Sequence, residues 1–449
     1  MACIISPSTC SNNFSYNEKR ASFVKNKGGF FHYFGQEMGK KNRIHPMFHS
    51  FITEERTVKQ AECRLITAFL LLSMVFLSAV FAVQGSLLST MIAQYQLTPA
   101  NQGLANTMAF AGGILALVGA FTMQGRWKKR TLLKWALFMC VAGLALMYVA
   151  PDYFVYVAAW FVAGFGLGLM DTLLSACMAD LYSGRQAVTM MCMLHTAYGL
   201  SSVLSPMGYA ALLSAGVPWK RVYLVIGAAG LLIVAGAWAV KHVFAIRDGE
   251  ALSRRPMSLK GILPALRQGR LLWLVAALFF HGIFLSGLNT WINRYAEGLG
   301  DGVTVPAQSC VFLGVMLSRM LMPFLPVKPQ KYVVAGSLLG GVALCIGLTM
   351  PGGWALRVLL MVSSLCFGAL IPCTITLGCE RQPGNTLLVT TGIMLALYLG
   401  QALSSPLIAA LEAAVGLWAG ILLCAICMGL FGFCCIRDAA GKKKRAESA

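Results

Sequence analysis

Asp171 is the acid that stands where acids do not belong. It lies well inside the apolar run from Tyr153 to Met178, within GFGLGLMDTLLSACMADLY. About 20 residues let a helix cross a bilayer, so this run spans one with its carboxyl group in the hydrocarbon. An ionised carboxylate there costs about 3 kcal/mol or more, so it must be protonated, paired or turned toward a water-filled cavity. Each of those states suits a transporter, because a carboxyl group that is dry in one conformation and wet in another can take up and release a proton. His195 in the next run is the obvious companion. Both residues lie 12 positions from a turn centred near Ser183. At 1.5 Å per residue each is therefore about 18 Å along its helix from that turn. Equal depth on consecutive antiparallel helices makes Asp171 and His195 the candidate proton-coupling residues. If their faces agree, an imidazolium holds the carboxylate ionised until movement or solute separates them; otherwise His195 bonds a backbone carbonyl or a hydroxyl on another helix.

A hydroxyl-rich solute needs groups that both donate and accept, and an aromatic face for its C–H surface. Gln84, Asn106, Tyr198, His281, Asn289, Trp291 and Gln401 supply these inside otherwise apolar segments and are the candidate substrate-binding residues. Asn106 and Trp291 fit equally well a bond to a neighbouring helix or an interfacial belt. Gln84 and Gln401 are favoured as site residues. The glycines Gly164, Gly166 and Gly168 before Asp171 read as close helix packing, because a G-x-G pattern with no preceding strand is a weak nucleotide signal.

The elements that must position these groups follow from composition. The 449 residues are 58% hydrophobic and 12% charged, with mean hydropathy +0.71. That is more apolar material than one water-soluble core needs, so the chain is polytopic, and runs of this length specify helices rather than a barrel. The net charge of +20 resembles a nucleic-acid footprint until the charges are placed. With twelve spans and both termini on one side, all but Lys220, Arg221, Arg294 and Arg357 of the 36 Lys and Arg fall in or beside the segments on the side of the termini. That bias makes the terminal side cytoplasmic and excludes a nucleic-acid reading. The basic tail Lys442 to Arg445 fits anionic lipid headgroups. The fifteen cysteines lie mostly singly in apolar runs and read as packing residues, with no metal spacing.

Residues 1–63 are expected to be a poorly ordered cytoplasmic N-terminal extension, 64–244 a six-helix bundle, 245–270 a basic cytoplasmic linker, 271–436 a second six-helix bundle and 437–449 a basic cytoplasmic tail. The bundles read as a duplication. At an offset of 200 residues Gly168 falls on Gly368, Asp180 on Glu380, Gly184 on Gly384, Tyr198 on Tyr398, and Ser205-Pro206 on Ser405-Pro406. Asp171 falls on Ile371, so the acid belongs to one half only.

This all-α pattern of twelve transmembrane helices in two six-helix pseudo-repeats resembles the major facilitator superfamily. The loop Gln124-Gly125-Arg126-Trp127-Lys128-Lys129-Arg130 resembles that superfamily's G-R-K-R loop, which implies a gating role for Gly125, Arg126 and Lys128. The family's Asp three residues before the Gly is Thr122 here, and Asp180 is the candidate replacement. The run Gly164-x-Gly166-x-Gly168-x-x-Asp171, Arg185, His195-Thr-Ala-Tyr198-Gly199 and Pro206 resembles the fucose-proton symporter family. Gly314-x-x-x-x-Arg319, Gly368-x-x-x-Pro372 and Gly400-x-x-x-x-x-Pro406 extend the likeness. Departures fall near Gly85, where fucose permeases carry an acid, at Cys192, and between His281 and Trp291, where relatives often have another acid.

The expectation is a multi-pass carrier of the plasma, or cell inner, membrane. It would move a small polar solute, a sugar if the resemblance holds, by proton-coupled alternating access. A proton-driven exporter of drugs or metabolites is the rival on the same scaffold. Its partners would be solute, proton and membrane lipid, with no cofactor, no metal and no nucleic acid, acting as a monomer. No Walker loop, nucleophile elbow or metal cluster points to an enzyme.

Overall fold

The computed structural model describes residues 46–122, 129–182, 184–239, 264, 266–267, 271–300, 302–325, 327–381 and 386–446. Among these every regular element is helical. The first half holds α1 (Pro46–Ser86), α2 (Leu88–Tyr95), α3 (Pro99–Gln102), α4 (Leu104–Thr122), α5 (Lys129–Val149), α6 (Tyr153–Leu181), α7 (Gly184–Ser214) and α8 (Trp219–Ala239). The second holds α9 (Leu272–Gly298), α10 (Ala307–Leu321), α11 (Pro329–Leu348), α12 (Gly353–Phe367), α13 (Leu370–Arg381), α14 (Thr386–Ala414) and α15 (Leu417–Ala446). α1 begins at Pro46, ahead of its apolar stretch. α2 and α3 are short caps on one end of the bundle, and α12 and α13 are one span interrupted at Gly368 and Ala369.

Ten spans are individually long and apolar enough to cross a membrane, with the shorter apolar α10 beside them. α7 completes the twelve. It is long but carries His195, Thr196, Ser201, Ser202 and Ser205, and it packs against α10 across the junction of the halves. Polar residues on these two helices therefore find partners in protein instead of lipid.

The duplication is visible in the packing. α4 packs on α6 as α10 packs on α12, α1 on α7 as α9 on α14, and α5 on α8 as α11 on α15. Glycines at corresponding positions set the closest approaches: Gly112 of α4 lies against Phe161, Gly164 and Phe165 of α6, and Gly314 of α10 lies against Met361, Ser364 and Leu365. Gly168 meets the backbone of Gly113, and its repeat mate Gly368 that of Val315. A Cβ at any of these would strike backbone, so the small side chain is what allows the crossing.

The halves meet through α1 with α9, α4 with α14, and α7 with α10. Two of these seams are tied by hydroxyl–carbonyl bonds beside prolines. Pro406 has no N–H, which leaves the carbonyl of Ala402 without its helical donor. Thr107 of α4 donates to that carbonyl at 2.9 Å. In the other seam Ser309 of α10 donates to Val203 O, beside Pro206, at 2.8 Å.

Candidate functional site

Asp171 sits on the inner face of α6 and keeps some solvent contact. Its partner comes from the opposite half: the Tyr398 hydroxyl donates to Asp171 Oδ2 at 3.5 Å. No hydrogen bond or ion pair joins Asp171 to His195 among the described residues. The two share instead a common charged neighbour, Arg319 of α10, which interacts electrostatically with both. Tyr198 and Tyr398, repeat mates at the 200-residue offset, both feel the Asp171 charge.

Arg319 is held by a local consequence of sequence. Pro372 cannot donate to the carbonyl of Gly368, four residues before it, and the helix opens there. Arg319 Nε donates to that carbonyl at 3.1 Å. The guanidinium is thereby fixed with its two terminal nitrogens unbonded among the described residues. Arg294 pairs with Glu412 and Arg381 with Asp438, whereas Arg319 has no described carboxylate within ion-pair distance.

An aromatic wall crosses the same junction. Phe81 of α1 stacks on Phe110 of α4 with centroids 6.1 Å apart, and Phe110 meets Tyr398 edge-on at 5.9 Å. Gly113 makes room for that tyrosine, since a Cβ there would lie 2.6 Å from Tyr398 Cε1.

The other candidates separate into two groups. Asn106, Asn289 and Trp291 are bonded into the scaffold. Asn106 Nδ2 donates to Ser286 Oγ at 3.1 Å and its Oδ1 accepts from Thr290 at 3.3 Å. Asn289 Oδ1 accepts from Gln308 Nε2 at 2.7 Å, and Trp291 Nε1 donates to Ser405 Oγ at 3.1 Å. Gln84 Nε2 and Gln401 Oε1 are buried with no partner among the described residues. His281 lies among Phe284, Phe367 and Phe431 with Nδ1 likewise unpartnered, an aromatic packing position. Gly85, at the point of departure from fucose permeases, is pressed against the Asn289 carbonyl and leaves no space for an acid. Gly125, Arg126 and Lys128 lie outside the described residues. Asp180 belongs to the last turns of α6.

Polar ties between the halves gather at the end away from the chain termini. Arg294 Nη1 donates to Gln102 at 2.6 Å while its Nη2 pairs with Glu412 at 2.6 Å. Ser89 donates to Glu297, and Gln308 to the carbonyl of Ala82 at 3.2 Å.

Sequence reasoning did not single out Arg319 or Tyr398 as site residues. The signal that marked Asp171 was available for Arg319. Aligning Gly112 with Gly314 places Leu117 opposite Arg319, so each half contributes one ion that its repeat lacks.

Two six-helix halves with small residues at their crossings, and with an acid and a cation at the junction between them, define a fold of the kind that membrane transporters use. The sequence pattern of the Major Facilitator Superfamily matches residues 70–394, and the chain belongs to that superfamily. It is therefore a multi-pass membrane transporter rather than an enzyme. Among curated proteins it is similar to the Protein TsgA homolog of Erwinia tasmaniensis, 30% identical over 33% of this chain and 38% of that protein. It is also similar to Protein TsgA of Salmonella schwarzengrund, 22% identical over 51% of this chain and 57% of that protein. The matches thus span between a third and three fifths of those relatives' lengths. Among solved structures, the transporter FucP in its outward conformation superposes with TM-score 0.61 at 19% identity, over 83% of this chain and 98% of that one. A mutant of the peptide transporter POT, in complex with sulfate, superposes with TM-score 0.65 at 14% identity, over 84% and 94%. At these identities the two structures speak for the fold.

Proposed function

We propose that this protein carries a small polar solute across the plasma (cell inner) membrane by alternating access coupled to proton movement, with both termini cytoplasmic. The observation that carries the reading is Asp171, an acid inside a membrane span whose hydrogen-bond partner, Tyr398, belongs to the other half. Rocking one bundle against the other separates or joins that pair, so the acid's protonation and the direction of access are linked. Arg319 strengthens the link, because a nearby cation favours an ionised carboxylate and its distance changes as the bundles rock. Gln84 Nε2 and Gln401 Oε1, buried without partners among the described residues, provide hydrogen bonds that a solute would complete. Phe81, Phe110 and Tyr398 provide the apolar face. We read the ties of Arg294, Ser89 and Gln308 between the halves as closing the end away from the termini, which leaves the site to the cytoplasmic side.

The motif around Asp171 resembles that of the fucose-proton symporter family, which favours solute–proton symport over export. The test is uptake into proteoliposomes with an imposed pH gradient, screened across neutral and acidic sugars and related polar solutes. Wild type should accumulate its solute only with the gradient present. Asp171→Asn should abolish that accumulation and retain counterflow exchange, because an amide mimics the protonated acid. An Asp171→Asn variant that still concentrates solute with full gradient dependence would overturn the coupling assignment.

A further inference from the structure

Arg319 stands in the last turn of α10 with no described anion in contact. A guanidinium stays charged in proteins and presents five N–H donors in a planar fork. Among the described residues Nε alone is bonded, to Gly368 O at 3.1 Å. The two terminal nitrogens have no hydrogen-bond partner among the described residues, and the residue keeps some accessible surface. Asp171 acts on it through space and forms no ion pair with it. A membrane-embedded charge left this way is costly unless a counter-ion arrives.

The fixing of Nε matters. It sets the plane of the guanidinium and leaves Nη1 and Nη2 as one free edge. Such an edge matches the two oxygens of a carboxylate with parallel hydrogen bonds. Leu117 occupies the corresponding place in the first half, so helix packing alone does not require a long cation there.

We infer that the transported solute carries a carboxylate, which Arg319 binds in bidentate fashion through Nη1 and Nη2. Gln84 and Gln401 then read the solute's neutral polar portion. This deepens the proposed function and rests on the central junction being the solute site. It replaces a purely neutral sugar by an acidic one, or by another small organic acid. It also supplies a reason for coupling. A bound carboxylate takes over the charge of Arg319, Asp171 loses its electrostatic support, and the acid protonates as solute binds.

The test reads Arg319 directly and does not need the natural solute. Purified protein in proteoliposomes is treated with phenylglyoxal, which modifies accessible guanidinium groups, and the adduct on the Arg319 peptide is followed by mass spectrometry. Galacturonate and benzoate are compared with galactose and benzamide as protecting agents. The expected result is that Arg319 reacts and that the carboxylates slow its modification about ten- to hundredfold more effectively than the neutral analogues, the range for charge-assisted hydrogen bonds. Mapping the adduct by peptide separates Arg319 from every other arginine, so no background substitution is needed. An Arg319 that stays unreactive in the folded protein would overturn the inference. So would protection that is absent, or equal for carboxylates and neutral analogues. Arg319→Lys keeps the charge and loses the fork, and should lose the thermal stabilisation that galacturonate gives wild type while unfolding near the wild-type temperature without ligand. Full retention of that stabilisation would also count against bidentate binding. Protection at Arg319 and the coupling defect of Asp171→Asn are separate readouts, so either proposal can fail alone.

Discussion

Arg294 is the point at which closure of one end of the transporter can be weighed. Its Nη1 donates across the junction to Gln102 of the first half at 2.6 Å, and its Nη2 pairs with Glu412 of its own half at 2.6 Å. The Glu412 pair therefore aims the side chain, and the Gln102 bond is the one of the two that crosses between the halves. A hydrogen bond from a charged donor contributes about 1.5–3 kcal/mol net. The side chains of Arg294 and Glu412 retain 23% and 16% of their exposure, so solvent competes and about 1–2 kcal/mol is the fitting range. Arg294→Ala should then shift the ratio of closed to open molecules at this end by about 5- to 30-fold. Met394→Cys, beside the aromatic wall and in a background otherwise free of cysteine, would report it. Its labelling by an impermeant maleimide from the side away from the termini should accelerate by that factor. Glu412→Gln should give a smaller change, because the bond to Gln102 survives. Labelling of Arg294→Ala at the wild-type rate, or a larger effect from Glu412→Gln, would refute this assignment of the crossing bond.

Gly113→Ala would put a Cβ 2.6 Å from Tyr398 Cε1, so the ring must shift by about 1 Å to regain normal contact. The 3.5 Å bond to Asp171 is at the limit of hydrogen bonding already. Gradient-driven uptake should fall, and Tyr398→Phe should reproduce the loss without the steric change; normal uptake in both variants would remove Tyr398 from the coupling site. The hydroxyls of Tyr156 and Tyr223 are buried and 2.6 Å apart. Tyr223→Phe strands one of them and should cost about 1–3 kcal/mol, seen as a lower melting temperature, whereas changing both tyrosines should cost less than the sum of the single changes. Strictly additive losses would mean the pair contributes nothing as a pair. Thr107→Val removes the donor to the Ala402 carbonyl and should speed the same maleimide labelling as Arg294→Ala; an unchanged rate would show that the proline-freed carbonyl finds another donor at no cost.

Much of the architecture was written along the chain itself. Apolar run length fixes a helix as membrane-spanning regardless of its neighbours, and so the twelve runs and the duplication could be read locally. The same holds for Gly164, Gly166 and Gly168, because a residue without a side chain amid long apolar ones has close packing as its ordinary use. Their contacts with Ala109, Ala136 and Gly113 follow that reading. Proline also acts locally, and Pro372 and Pro406 each free a carbonyl whose position the sequence names.

What the sequence could not supply was direction. Rise along a helix is 1.5 Å per residue, and depth follows by counting; azimuth turns about 100° per residue and depends on how each helix is rotated and tilted in the bundle. Equal depth therefore made His195 the natural partner for Asp171, while packing of the two halves brings Tyr398 to it instead. The same rotation decides that Asn106 and Asn289 are bonded across the junction whereas Gln84 Nε2 and Gln401 Oε1 are left without partners among the described residues. Arg319 shows the division most plainly. Its presence in a span and its absence from the repeat are facts of sequence, but the arginine, the freed Gly368 carbonyl that fixes it and the acid that faces it come from three different spans, and only their packing puts them in one place.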